Sequence, residues 1–295
     1  MDPLLILPAG GGLAVIRHWA VLTKLPIAMA STLTALIGYR LAGGAWSLAC
    51  LTLSAATLFL AMGAAALNEI QERSWDARMD RTRHRPLPSG SISVNRAGGG
   101  ALVMVVVGMG GLMAFGLGSA GAGLLALVWY NGVYTPLKRH TAWAVLPGAL
   151  IGAIPPFIGW MAAGRGPLAA PVLVFAVVIF LWQVPHFWAL VLIHSRDYAR
   201  GGFPTLDQRL SGPGLARLTF AWVLLLATSS VLIPGSGLIV SPAGMALLVI
   251  ADLVLLWGGW GIFRDTPGKA GRVFHAVNAF ALLLAALVLL DPWLR

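Results

Sequence analysis

Apolar runs long enough to cross a bilayer recur nine times along this chain, and no other feature restricts its fold so much. A crossing helix needs about 20 mostly apolar residues at ~1.5 Å of rise each. Stretches that satisfy this lie at 18–42, 46–68, 95–115, 118–136, 142–164, 169–194, 214–234, 241–263 and 272–291. An outer-membrane barrel is excluded, because its strands read as ~10-residue alternating segments. A soluble domain is excluded too: 58% of the residues are hydrophobic and 10% charged, against roughly 25% charged in a typical soluble domain. The expected fold is all-α, a polytopic membrane protein of nine transmembrane helices. Residues 17–295 are expected to form one membrane domain behind a short N-terminal tail, 1–16.

The single cysteine, Cys50, excludes an intramolecular disulfide and a cysteine-built metal cluster. Asp2 stands where a cleaved signal needs positive charge, and Leu4 to Leu7 is too short an apolar core for one. The formal charge of +10 would suggest nucleic acid in a soluble domain, but its distribution says otherwise. Of the 20 Lys and Arg residues, only Arg40, Arg165 and Arg295 fall on one side of the expected spans. The other 17 share a side with the N-terminus and with the loops after spans two, four, six and eight. By the positive-inside rule that side is cytoplasmic. The charge reads as topology plus an anion site in a multi-pass protein of the cell (inner) membrane, with no nucleic-acid partner.

Carboxylates are scarce and clustered. Four of the ten, Glu69, Glu72, Asp76 and Asp80, lie within twelve residues at the end of the second span. Acidic residues do little to set orientation, so such a group at a membrane mouth is a functional-site hypothesis by default. Asn68, Glu72, Asp76 and Asp80 are each four apart, which on a helix gives one stripe drifting ~40° per member. Glu69 lies ~100° off that stripe and is set aside. Oxygen-only ligands favour a hard cation, Mg²⁺ before Zn²⁺, and Mg²⁺ commonly shares its shell with substrate phosphate. A solvated helix end pairing its acids with Arg73, Arg78 and Arg81 is the bland alternative. Three carboxylates in a row headed by Asn, in a chain so poor in acids, favour the metal, with Asp80 in second rank. Asp76 is expected at a hydrated helix end. Beyond it, Arg81-Thr-Arg83-His-Arg85 supplies guanidinium groups suited to bidentate contacts with phosphate oxygens.

Asn68 to Gly90 resembles the first aspartate-rich motif of the UbiA-type intramembrane prenyltransferase superfamily, and its tail from Met79 is similar to the haem O synthase (protohaem IX farnesyltransferase) branch. Tyr134-Thr-Pro-Leu-Lys138-Arg139, running on to Gly148 and Pro155-Pro156-Phe-Ile-Gly-Trp160, resembles the fourth loop and fifth helix of that branch. His186-Phe-Trp-Ala-Leu190, then Asp197-Tyr198 and Gly202-Phe-Pro204, resembles its sixth helix and following loop. Arg272-Val-Phe274 echoes the last helix. The likeness runs from about Lys24 to the last span. Glu69 and Glu72 stand where the superfamily usually has Asp, and residue 193 is Ile where quinone-type members carry a further aspartate.

The resemblance implies nine helices around a central cavity and a cytoplasmic N-terminus. It implies transfer of a farnesyl group from farnesyl diphosphate to the vinyl group of haem b, giving haem O. Mg²⁺ would be held by Asn68, Glu72, Asp76 and Asp197, with Asp76 and Asp197 the acids on which catalysis depends. Lys138, Arg85, Arg83 and Tyr134 would bind diphosphate, and His186 would lie on the haem side. Trp182 or Trp188 could shield an allylic cation. A haem A synthase is the partner that would take the product on. The alternatives are a quinone- or chlorophyll-pathway prenyltransferase with the same metal site, or an ion-coupled transporter. Transporters place such acids in broken helices near the midplane, whereas these lie at one membrane face.

Overall fold

The computed structural model describes residues 11–263 and 266–294, without the side chains of 263 and 266–269. Of the residues used to read topology, Arg264 and Arg295, and most of the 1–16 tail, lie outside the described residues. The Lys269 side chain lies outside the described part as well.

The described residues hold helices and no strand. In chain order these are α1 (Gly12–Leu22), α2 (Leu25–Leu41), α3 (Leu48–Asp76), α4 (Val94–Met113) and α5 (Leu117–Val128). A π-helical turn, Trp129–Tyr134, joins α5 to the short α6 (Thr135–Leu137). Then follow α7 (Val145–Ala153), α8 (Pro155–Ala162), α9 (Ala170–Ile193), α10 (Ser195–Gly201), α11 (Gly212–Ser229), α12 (Leu232–Gly235), α13 (Pro242–Trp260) and α14 (Thr266–Leu290).

Seven helical segments are long and apolar enough to cross a membrane, and an eighth crossing results if the bent pair α1 and α2 is one span. The first expected span is therefore broken: Lys24 takes a left-handed conformation, φ 48°, and Pro26 follows it. The axes on either side differ by 57°. The stretch expected at 118–136 is helical but reaches Lys138 through the π-helical turn, as three short pieces. The second span outruns its expected end at 68, and α3 carries on to Asp76.

Close approach of small residues sets the helix packing, as expected where lipid removes the hydrophobic drive between helices. A methyl group on Gly159 of α8 would strike the Ala35 carbonyl oxygen of α2, and one on Gly108 of α4 would lie 2.5 Å from the Leu60 nitrogen of α3. In the other half, Phe175 and Ile179 of α9 share a buried core with Val273, Val277, Phe280 and Leu284 of α14. Large apolar side chains such as Leu102, Val106, Val249, Leu253 and Trp257 point outward, a surface suited to acyl chains.

Candidate active site

The last two turns of α3 carry Asn68, Glu69, Glu72 and Asp76, and all four are buried, none more than 3% exposed. That corrects the expectation for Asp76, which sits at 2% exposure and not at a hydrated helix end. The cover is the segment after α3, which folds back with Met79, Thr82, Leu87 and Ile92 buried. Thr82 Oγ1 donates to the Asp76 carbonyl at 2.8 Å. Arg85 returns furthest: its Nη1 lies 2.7 Å from Glu69 Oε1 and 3.1 Å from Asp76 Oδ2.

Glu69 belongs to the cluster after all. The stripe drifts, so by Asp76 it has turned ~80° from Asn68 and comes within ~20° of Glu69. Measuring Glu69 from the head of the stripe hid this. Its other partner is Lys24, at the break between α1 and α2. Lys24 Nζ lies 3.1 Å from Glu69 Oε1 and donates to Asn68 Oδ1 at 2.5 Å. On the far side, Asn68 Nδ2 donates to Thr135 Oγ1 at 2.8 Å. Thr135 in turn donates to the Tyr130 carbonyl five residues back, at 2.8 Å, within the π-helical stretch.

Lys138 forms an ion pair with Glu72. Its ammonium lies 5.7 Å from the Tyr134 ring and 5.3 Å from the Phe203 ring. Burial draws the Lys138 ammonium below its ordinary pKa, against the opposing pull of Glu72. Three buried carboxylates, Glu69, Glu72 and Asp76, thus face three cations, Lys24, Arg85 and Lys138. Burying such charges without partners would cost several kcal/mol each. The Tyr130 and Tyr134 rings stack at 6.0 Å on the same wall.

Asp197, in α10, is half-buried, and its Oδ2 accepts from the Arg81 backbone N–H at 3.3 Å. Arg200 forms an ion pair with Asp80, so the segments after α3 and α9 meet. Asp80 and Arg83 stand apart from the buried cluster: both are about half exposed and pair with each other at 3.4 Å. Such an exposed pair contributes little. His186, two turns before the end of α9, faces Asn278 of α14 at 2.8 Å.

Among the described residues no three His, Cys, Asp or Glu side chains are gathered to hold a metal ion; the acids are ion-paired instead. The donor chemistry still suits a hard cation, with oxygen donors only. Glu69 Oε2 is buried with no hydrogen-bond partner, an oxygen left over in the middle of the cluster. Sequence reasoning missed Lys24 and Thr135 as well as Glu69. A lone lysine beside a proline inside an apolar run was the available signal for the first. Thr135 carried only its place within the Tyr134 to Arg139 segment.

A profile of the UbiA prenyltransferase family matches residues 28–289. The protoheme IX farnesyltransferase of Geobacter sulfurreducens is 37% identical over 279 residues, covering 93% of this chain and 99% of the relative. That of Oleidesulfovibrio alaskensis is 33% identical over 280 residues, covering 94% and 97%. Among solved structures, a digeranylgeranylglyceryl phosphate synthase superposes with a TM-score of 0.76 at 14% identity, over 94% of this chain and 98% of its own. A UbiA homologue from Archaeoglobus fulgidus bound to GPP and Mg²⁺ gives 0.63 at 12% identity, over 92% and 99%.

Proposed function

This chain belongs to the UbiA prenyltransferase family, and from that premise we propose that it farnesylates haem b at a vinyl group to give haem O. The observation that carries the acceptor is likeness along nearly the whole chain to relatives named protoheme IX farnesyltransferase. The observation that carries the chemistry is the buried cluster of acids and cations at the end of α3.

Asn68, Glu72 and Asp76, with Asp197 from α10, would hold Mg²⁺, and Glu69 Oε2, buried with no hydrogen-bond partner, would add a further oxygen donor. When bound, the metal supplies positive charge to the diphosphate leaving group. Lys138 and Arg85 would turn from the carboxylates to the diphosphate oxygens, which frees the acids for the metal and keeps the buried charge balanced. Tyr134 lies beside Lys138 and would donate its hydroxyl to the same group. Arg83, on the surface, would meet the diphosphate on its way in. The C1–O bond of the farnesyl group breaks and its electron pair leaves with the diphosphate. The haem vinyl carbon then bonds to C1, and water adds to the neighbouring carbon and loses a proton, leaving a hydroxyl. Apolar walls keep other water from the allylic cation.

The same reading has residues 17–295 as one membrane domain of nine crossings with the N-terminus cytoplasmic. The bent α1–α2 pair and the run from α5 to α6 supply the two crossings beyond the seven long helices. It places the protein in the cell (inner) membrane, with its product passing to a haem A synthase. Purified protein stripped with a chelator should release no diphosphate from farnesyl diphosphate in the presence of ferrous haem b, and Mg²⁺ should restore it. Full turnover without any divalent metal would overturn the metal site.

A further inference from the structure

His186 follows Pro185 within α9, where the proline removes one backbone donor, and its ring lies in an aromatic corner between α9 and α14. Trp182, one turn earlier on α9, has its ring centre 5.1 Å away, and Phe274 of α14 lies at 4.9 Å. The imidazole is fixed by one hydrogen bond: Nδ1 faces Asn278 Oδ1 at 2.8 Å. An amide oxygen only accepts, so Nδ1 carries the proton. A neutral imidazole has one such proton, so Nε2 keeps its lone pair. Nε2 makes no hydrogen bond among the described residues and is not among the buried polar atoms sealed without a partner. The neighbouring Trp182 indole N–H is so sealed, a second polar group in this corner that the protein itself leaves unanswered.

We propose that Asn278 is a positioning residue for the acceptor. It holds His186 in the tautomer whose Nε2 lone pair ligates the iron of the haem, while Trp182 and Phe274 fix the ring plane. This rests on the haem reading above. Imidazole is a common axial ligand of haem iron, and a ligating histidine normally donates its other ring N–H to an oxygen that sets its orientation and basicity. The Asn278 amide is that oxygen here. A packing histidine would have no need of a free Nε2 beside an aromatic corner.

Resonance Raman and absorption spectra of haem bound to the full-length detergent-purified protein test this directly. Wild-type protein with ferrous haem b should show an iron–histidine stretch. His186→Ala should lose it and regain an imidazole-ligated spectrum when free imidazole is added. Asn278→Ala should lower the stretching frequency and weaken haem binding about tenfold or more. Asn278→Asp, a stronger acceptor at the same place, should raise the frequency while retaining binding, and it controls for misfolding of the alanine variant. A His186→Ala spectrum equal to wild type would overturn the proposal. So would Asn278→Ala and Asn278→Asp spectra that do not move, even with haem still farnesylated, and in that case the functional reading survives. Wild-type protein that binds no haem yet farnesylates another acceptor would end both.

Discussion

At the scale of single residues, the cluster at the end of α3 makes strong demands because its charges are buried. Asp76→Asn removes the carboxylate but keeps the shape, and leaves the Arg85 guanidinium with Glu69 as its acidic partner in the cluster. Turnover should fall about a hundredfold or more, the scale of losing one electrostatic contact to a developing charge, with the helical circular-dichroism signal unchanged. Glu72→Asp, the usual superfamily residue, should retain most of the activity and Glu72→Ala lose most of it; equal rates in all three forms would remove Glu72 from the site. Lys138→Ala should raise KM for farnesyl diphosphate about tenfold or more, the worth of a charge-assisted hydrogen bond, and change KM for haem less. The stripe of Asn68, Glu72 and Asp76 was legible from spacing alone. Glu69 was set aside because its angle was taken at the first member of the stripe, before the drift brings Asp76 round to the same side. Lys24 and Thr135 reach the site from distant parts of the chain, 44 and 67 residues from Asn68, and local periodicity holds no trace of that.

Among the elements, what decides is how closely two helices can approach. The α2–α8 contact leaves no space for a Cβ at Gly159, whose added methyl would strike the Ala35 carbonyl. Gly121 of α5 has open space around it. Gly159→Ala should therefore cost about 2 kcal/mol through overpacking, read as a lower unfolding temperature in detergent, while Gly121→Ala should leave that temperature unchanged. Equal losses at both positions would mean that the close contact is not what sets the cost, since Ala is by itself the better helix former. The long helices were legible because each needs only an apolar run of sufficient length. The break at Lys24 and the π-helical turn at Trp129–Tyr134 were not. Both backbone choices come with tertiary contacts: Lys24 turns toward Asn68 and Glu69, and Thr135 accepts from the Asn68 amide while it satisfies the Tyr130 carbonyl. Neither leaves a period in the sequence.

For the molecule as a whole, the two halves of the chain meet beside the buried cluster. The segment after α3 meets α10 through Arg81 with Asp197 and Asp80 with Arg200, so the proposed site, with Asp197 in it, would draw on both halves. The proposed metal and diphosphate contacts would suit any prenyl acceptor and do not identify it. That identity rests on likeness to relatives, and on the His186 corner formed by α9 and α14. Purified protein given Mg²⁺, farnesyl diphosphate and ferrous haem b, with 4-hydroxybenzoate and dihydroxynaphthoate in the same vessel, puts the acceptor to a direct choice, read by mass spectrometry of the extracted products. The expected outcome is a haem heavier by one farnesyl group and one water, with both aromatic acids unchanged; a prenylated aromatic acid beside unaltered haem b would contradict it.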